Sequence, residues 1–393
     1  MKIPYGKHDI DIDDINAVVE VLQSNTLTQG PYIQQFEESF AKYVGSSYAV
    51  AVSNGTAALH LSMIALNANE GDNVITTPIT FVASANCVKY VGGHVVFSDI
   101  DRESYLLDLD KIEDLLSKQP VGTYKGIIPV QFSGRMVNLE KLRAIADKYK
   151  MWIVEDGCHS PGATFVDSFG KDQKSGNGNF ADLSVFSFHP VKHIACGEGG
   201  MITTNNKFLY ERLLKLRTHG ITKNIELFKN SISESGGQDY FPNWYMEMQE
   251  LGYNYRMTDI QAALGNSQLK KADSGLIKRR QIAYKYNEAF KNNSLILNHS
   301  GYHEGHAYHL YIIEVENRLE LYNFLLTQDI IAQIHYFPCH LMPYHMQFGT
   351  KKGDFINAES YYRVCLSIPI YPSLKDEEQL FVIEKINTFL NES

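Results

Sequence analysis

The sequence predicts an α/β fold in which a large, mostly parallel sheet domain is followed by a smaller C-terminal α/β domain. Three observations carry this expectation. Between Tyr48 and Asn205, apolar strand-like runs alternate with helical patterns, as in a parallel sheet covered by helices on both faces. After Asn206 the texture turns polar and glycine-containing, and beyond that stretch helix and strand patterns resume. The length of 393 residues also exceeds the usual size of one domain. We therefore divide the chain into residues 1–250, an N-terminal arm with the large domain, and residues 251–393, the smaller domain.

Taken in order, residues 1 to 45 read as a helical arm, INAVVEVLQ and YIQQFEESFAKYV around a short LTQGP turn. The strand candidates of the large domain are 48–54, 74–81, 94–100, 126–132, 151–156, 183–189 and 199–205, each β-branched or aromatic and bounded by turn residues. Helical patterns lie between several of them, at 56–67, 108–118 and 138–150. The stretch from Thr222 to Asn243 reads as a surface excursion with no assignable role. A long helical segment then runs through KRRQIAYKYNEAFKN into strands YHLYIIEV (308–315) and IIAQIHYFP (330–338), separated by the helix NRLELYNFLLTQ, and the chain finishes in the helix FVIEKINTFL. There is no internal repeat.

Composition excludes several classes of function. Hydrophobic residues at 44% and charged residues at 21% are ordinary for a soluble globular protein, and no apolar run is long enough to span a membrane. With 36 basic and 45 acidic residues the net charge is −9, so a nucleic-acid partner is not expected and an anionic ligand needs a local site. The N-terminus has no apolar stretch of signal-peptide type, which places the protein in the cytoplasm. The five cysteines are scattered, which argues against both a disulfide framework and a zinc site, and no metal is expected.

The chemistry concentrates where strands give way to loops. Lys192 follows the apolar run LSVFSFH in a loop closed by Gly197, Glu198, Gly199 and Gly200. A lysine held in a dry corner at that end of a sheet is depressed in pKa and forms a Schiff base with an aldehyde. Asp156 ends MWIVED in the same manner, and Glu155 beside it points to the opposite face. In SNGTAALHL a strand passes through Asn54 and Gly55 into a helix near Thr56, a helix N-terminus able to cradle phosphate. No G-x-G-x-x-G or Walker pattern accompanies it. Phe81 closes TTPITF, where an aromatic face could cover a flat ligand. Schiff-base lysine, aspartate, phosphate cradle and stacking ring together are the set that pyridoxal 5'-phosphate needs.

An ordered series of motifs extends this reading over nearly the whole chain: LTQGP, SNGTAALHLS, TTPITFVASAN, VEDGCHSPGA, FSFHPVKHIACGEGG, LRTHGI, ELGYNYRMTDIQAALG, AYHLYII and IHYFPCHLMPYH. In them the sequence resembles the DegT-type sugar aminotransferases, which have the aspartate aminotransferase fold of the type I pyridoxal phosphate enzymes. The resemblance implies that Lys192 carries the cofactor and that Asp156 faces its ring nitrogen. By the same resemblance His159 lies by the ring, and Gly55, Thr56 and Ser187 contact the phosphate. Asn254 matches a residue that reaches the phosphate across a subunit boundary, which implies a homodimer with shared sites. Tyr5, Thr26, Leu27, Thr28, Asn54, His335 and Tyr336 fall where the family contacts its sugar nucleotide. TPITFVASAN and WYMEMQELGYNYRMTDIQAALG bring the sequence nearest the branch that serves pseudaminic acid biosynthesis. That likeness implies L-glutamate as amino donor and a UDP-linked 4-keto-6-deoxy amino sugar as acceptor, aminated at C4.

Two positions depart from the family pattern: Ala195 replaces a frequent threonine, which removes a hydroxyl near the lysine loop, and Gly157 replaces alanine or cysteine. Three other readings compete. Pyridoxamine-dependent sugar dehydratases of this scaffold carry histidine at the lysine position, so Lys192 argues against them. An aminotransferase for another sugar nucleotide, of bacillosamine or perosamine type, remains an alternative. A non-catalytic relative predicts decay of the reactive set, whereas Lys192, Asp156, His159, Ser187 and Asn254 are intact.

Overall fold

A computed structural model describes residues 2–392. The large sheet is built from β1 (Tyr48–Val52), β2 (Asn73–Thr76), β3 (His94–Phe97), β4 (Tyr124–Ile128) and β5 (Trp152–Asp156), joined, after a small hairpin of β6 (Thr164–Val166) and β7 (Asp172–Lys174), by β8 (Leu183–Ser187) and β9 (Gly200–Thr204). Its strand order is β1-β9-β8-β5-β4-β2-β3. The pairs β2–β3, β2–β4, β4–β5 and β5–β8 are parallel; β9 runs antiparallel to both β8 and β1. The ends of β5 and β8 and the start of β9 therefore meet at one edge of the sheet, the edge where ligands bind in open α/β sheets.

The strands are shorter than their apolar runs, because the residues past each end turn into loops at that edge. The run at 74–81 is the clearest case. Strand β2 stops at Thr76, so Phe81 stands in the following loop and not at a strand end, just ahead of the helix Ala83–Tyr90. A capping box starts α1 (Ile12–Gln23): the Asp11 carboxylate accepts the amides of Asp13 and Asp14, and Asp14 accepts the Asp11 amide. Lys271 then holds both carboxylates, at 2.7 and 2.6 Å. The LTQGP turn leads into α2 (Pro31–Val44), and Asp259 fastens that turn by accepting the amides of Gly30 and Tyr32. Helix α3 (Gly55–Ala65) leaves β1 and packs Ala57, Ala58, Leu59 and Leu61 into a core shared with Val50, Val154, Val185 and Ile202 of the sheet.

The excursion after Thr222 is closed at its base by β10 (Ile221–Thr222) pairing with β11 (Glu247–Met248). The Glu247 carboxylate organises it by accepting the amides of Lys229 and Asn230. Past the helices Asp259–Leu269 and Ala272–Phe290, a small antiparallel sheet forms from β12 (Asn298–His299), β13 (Tyr311–Glu314) and β14 (Cys365–Ile368). The segment 330–338 is not a strand of this sheet, contrary to its apolar pattern. Its backbone divides its partners: Ile331 donates to Ile3, Gln333 exchanges bonds with Ser367, and the His335 carbonyl accepts the Tyr361 hydroxyl, so no continuous ladder forms.

Ile3 belongs to the second core, with Tyr311, Leu325, Ile368 and Val382. The two cores are tied by buried polar contacts. Asp99 accepts the amides of Asn357 and Ala358, capping the helix Ile356–Val364, and Arg102 grips the fully buried Glu314 of β13 through both carboxylate oxygens. Cys339 donates its amide to the Pro78 carbonyl and its thiol to the Thr80 carbonyl, which fastens the loop bearing Phe81 against the smaller domain's chain.

Candidate active site

A cavity of about 940 Å³ opens at the loop edge of the large sheet, between the two cores. Lys192 stands in it on the loop between β8 and β9, where its amide bonds the His189 carbonyl at 2.8 Å. Removal from water pushes the Lys192 amine below its ordinary pKa; the nearby Cys158 and Asp156 oppose that shift and Arg279 adds to it. The Nζ lies 3.5 Å from Nε2 of His309.

Asp156, at the end of β5, has both oxygens oriented. The Ser84 hydroxyl donates to Oδ2 at 2.6 Å and the Cys158 amide to Oδ1 at 3.1 Å, while Thr80 Oγ1 lies 2.9 Å from Ser84 Oγ. Glu155 faces the other side of the sheet, where Gln131, Ser175, Ser184 and the Gly176 amide satisfy it; it takes no part in the cavity.

The third component is the start of α3. The Asn54 side chain caps it by accepting the Ala57 amide at 2.8 Å, and no hydrogen bond within the described chain engages the amides of Gly55 and Thr56. These donors, with the Thr56 hydroxyl and Ser187 at the end of β8, face one corner of the cavity. Close backbone approach explains the glycines there: a Cβ on Gly200 would fall 2.5 Å from the Asn54 carbonyl oxygen, and one on Gly55 would fall 3.0 Å from Ser187 Cβ.

His159 is buried in the same cavity, with Nε2 3.3 Å from the Tyr336 hydroxyl, and its Nδ1 has no partner among the described residues. Burial above all holds its pKa well below the ordinary histidine value, so the imidazole is neutral near pH 7. His335 is likewise pushed down by burial, to about 3, and bonds Ser367 Oγ at 2.9 Å through Nδ1. Tyr5 packs on His335 with ring centroids 5.2 Å apart, and Phe81, 58% exposed, stands 6.2 Å from the Tyr336 ring at the mouth.

The cavity thus brings together Tyr5, Asn54, Gly55, Thr56, Phe81, Asp156, His159, Ser187, Lys192, His335 and Tyr336. Thr26, Leu27, Thr28 and Asn254 do not line it. Thr28 forms a bridge with Thr258, Leu27 accepts the Asp259 amide, and Asn254, which is exposed, bridges Thr218. Those four lie outside the lining of their own chain's cavity. Sequence reasoning missed Ser84, which orients Asp156, and His309, which touches Lys192; His309 lay within AYHLYII, and its two-residue offset from β13 was the only local signal.

These residues fit pyridoxal 5'-phosphate. An aspartate with both oxygens fixed suits a protonated ring nitrogen, free amides at a helix start suit a phosphate, and a half-buried lysine with a lowered pKa suits an aldehyde.

Comparison with known proteins agrees. Residues 8–387 match the model of the DegT/DnrJ/EryC1/StrS aminotransferase family. The chain is 34% identical to the UDP-4-amino-4,6-dideoxy-N-acetyl-beta-L-altrosamine transaminase of Campylobacter jejuni serotype O:23/36, covering 99% of this chain and 97% of that one. It is 33% identical to the GDP-perosamine synthase of Escherichia coli O157:H7, covering 99% of both. Among solved structures, Helicobacter pylori PseC, an aminotransferase involved in the biosynthesis of pseudoaminic acid, superposes with a TM-score of 0.87 at 28% identity over 100% of both chains. The chain therefore belongs to the DegT/DnrJ/EryC1/StrS family and is a pyridoxal phosphate-dependent sugar aminotransferase.

Proposed function

We propose that the protein moves the amino group of L-glutamate to C4 of a UDP-linked 4-keto-6-deoxy-N-acetylhexosamine of L-arabino configuration, working as a homodimer with shared sites. The product would be UDP-4-amino-4,6-dideoxy-N-acetyl-β-L-altrosamine. The observation that carries the reading is the meeting of Lys192, Asp156 and the start of α3 in one cavity of about 940 Å³. The altrosamine transaminase among the relatives supports the acceptor; the perosamine synthase, nearly as similar, keeps a second acceptor class in play.

When bound, pyridoxal 5'-phosphate supplies an electron sink that stabilises negative charge on the carbon that loses its proton. Asp156, already hydrogen-bonded by Ser84 and the Cys158 amide, holds the ring nitrogen's proton in place. Lys192, as a free amine, takes a proton at Nζ from the amino donor's α-carbon and returns one to the other side of the transfer. Neutral His159 sits beside it without adding a second cation, and its hydrogen bond to Tyr336 fixes the ring. Phe81, Tyr5 and His335 form the mouth that receives the sugar.

The dimer is supported by two features of one surface. Helix α1 exposes Ile12, Ile15, Val19 and Leu22 at helical spacing, an apolar stripe that the described residues leave largely uncovered. Close in sequence lies the Thr26–Thr28 turn, which meets the Asn254 segment and stands outside its own cavity.

Amino transfer from glutamate, measured side by side with UDP-linked 4-keto-6-deoxy N-acetyl sugars of L-arabino and D-xylo configuration and with the GDP-linked 4-keto-6-deoxy sugar, tests the assignment. Preference for the L-arabino sugar is expected. Preference for either of the others would overturn the acceptor while leaving the chemistry at Lys192 in place.

A further inference from the structure

Within the cavity, the group that touches Lys192 is a histidine. His309 is 4% exposed, and its Nε2 lies 3.5 Å from Lys192 Nζ. Its ring leans on His159, with centroids 4.2 Å apart at 37°, and has His193 on another side at 5.7 Å. The backbone holds it firmly: Arg279, fully buried, donates to the carbonyls of Tyr308, His309 and Ile370. The other ring nitrogen, Nδ1, has no partner among the described residues.

On the assignment of Lys192 as the cofactor lysine, we propose that His309 is a positioning residue that keeps Lys192 in its amine form by donating Nε2–H to the Nζ lone pair. An ammonium has three N–H groups and no lone pair, so it can meet His309 only by donating to Nε2. That arrangement would move the ring proton to Nδ1 and leave a buried N–H without an acceptor. With the proton on Nε2, the unpartnered atom is a lone pair, and the donated bond exists only when Nζ is the free amine. The ring is thereby a device that selects the nucleophilic state.

The other groups facing Lys192 do not make this choice. Asp156, from the end of β5, and Cys158 both favour the charged form, Arg279 from the helix Ala272–Phe290 disfavours it, and His159, His193 and His335 stand neutral around it. Removal from water already disfavours the ammonium while carboxylate and guanidinium act on it in opposite senses, and the directed hydrogen bond adds the selection that neither burial nor charge gives in direction. The same contact fixes where Nζ points, because His309 is anchored by its backbone and its ring faces.

The test is capture of pyridoxal 5'-phosphate by the full chain freed of cofactor, followed by Schiff-base absorbance between pH 6 and 10. Only the amine reacts, so the pH of half-maximal rate reports the Lys192 pKa. His309→Leu is expected to move that midpoint up by about one unit and to slow capture at the parent's own midpoint pH about fivefold. His309→Gln keeps an N–H donor and is expected to recover most of the rate. A His309→Leu profile that superimposes on the parent's overturns the inference, as does a His309→Gln variant no better than Leu. Should His309→Leu fail to fold, 15N observation of the lysine in the unsubstituted protein decides: an amine signal at neutral pH supports the proposal and an ammonium signal overturns it. Equal capture by Lys192→Ala and the parent would instead strike the assignment of Lys192 itself.

Discussion

Acid should unfold this protein earlier than its carboxylates alone would require. His159, His306, His309 and His335 are each less than a tenth exposed, and burial holds all four below the ordinary histidine pKa. In the unfolded chain each titrates near ~6.5. Above that pH neither state holds the proton, and the fold is at full stability. As pH falls below it, the unfolded chain binds protons that the native chain refuses, so stability drops until the native pKa is reached, about 3 for His335. Each group then removes about 1.4 kcal/mol per pH unit. Between ~6.5 and pH 5 His335 alone, held at about 3, removes about 2 kcal/mol, and the other three imidazoles act in the same direction. Urea unfolding followed by circular dichroism at half-unit steps from pH 8 to 4.5 measures this. The free energy should be level above pH 7 and fall below ~6.5, and His306→Phe, at a site outside the cavity, should flatten the slope. A curve that stays flat from pH 7 to 5.5 would refute the argument that these imidazoles are held neutral.

The remaining predictions concern chemistry, packing and assembly. Asp156→Asn should lower turnover by orders of magnitude with an unchanged circular dichroism spectrum, because it removes the charge that holds the ring nitrogen protonated; near-normal turnover would end that role. Arg102→Met leaves Glu314 buried without its guanidinium and should destabilise the fold by about 3 kcal/mol in urea titrations, the low end of the range for such pairs because Arg102 is partly exposed. Adding Glu314→Leu to that variant should recover most of the loss. If Asn254 serves the partner's site, Lys192→Ala and Asn254→Ala chains, each nearly inactive, should regain about a quarter of parental activity once unfolded together and refolded, since half of the dimers then carry one intact site. No gain over the separate variants would remove Asn254 from a shared site.

How far the sequence could be read follows from where the determining contacts lie. Strands β2, β4, β5 and β8 were visible because a strand buried on both faces needs continuous apolar, β-branched residues whatever its neighbours are. The reversed direction of β9 was not anticipated, although a sign was present: no helical pattern separates Ser187 from Gly200, and a parallel neighbour would need a crossover. The segment 330–338 misled because alternation reports which side of a backbone is buried and not what its amides bond. Here those partners are Ile3, Ser367 and the Tyr361 hydroxyl, drawn from both ends of the chain.

The same distinction divides the site. Lys192, Asp156 and Thr56 were legible because each stands where a strand or helix ends, and such ends present unsatisfied groups to a ligand as a matter of geometry. Ser84 and His309 were not, because each acts by touching a partner far away in sequence, Asp156 in one case and Lys192 in the other. Local pattern selects the residues that react; the partners that set their charge and aim are selected by packing. Thr26, Leu27, Thr28 and Asn254 mark a further level. The likeness to the family singled them out, yet a single folded chain leaves them outside its cavity, and α1, close in sequence to three of them, carries an exposed apolar stripe. If that stripe meets its counterpart on a second copy, the four residues reach a site through an interface, which neither local pattern nor the packing of one chain can specify.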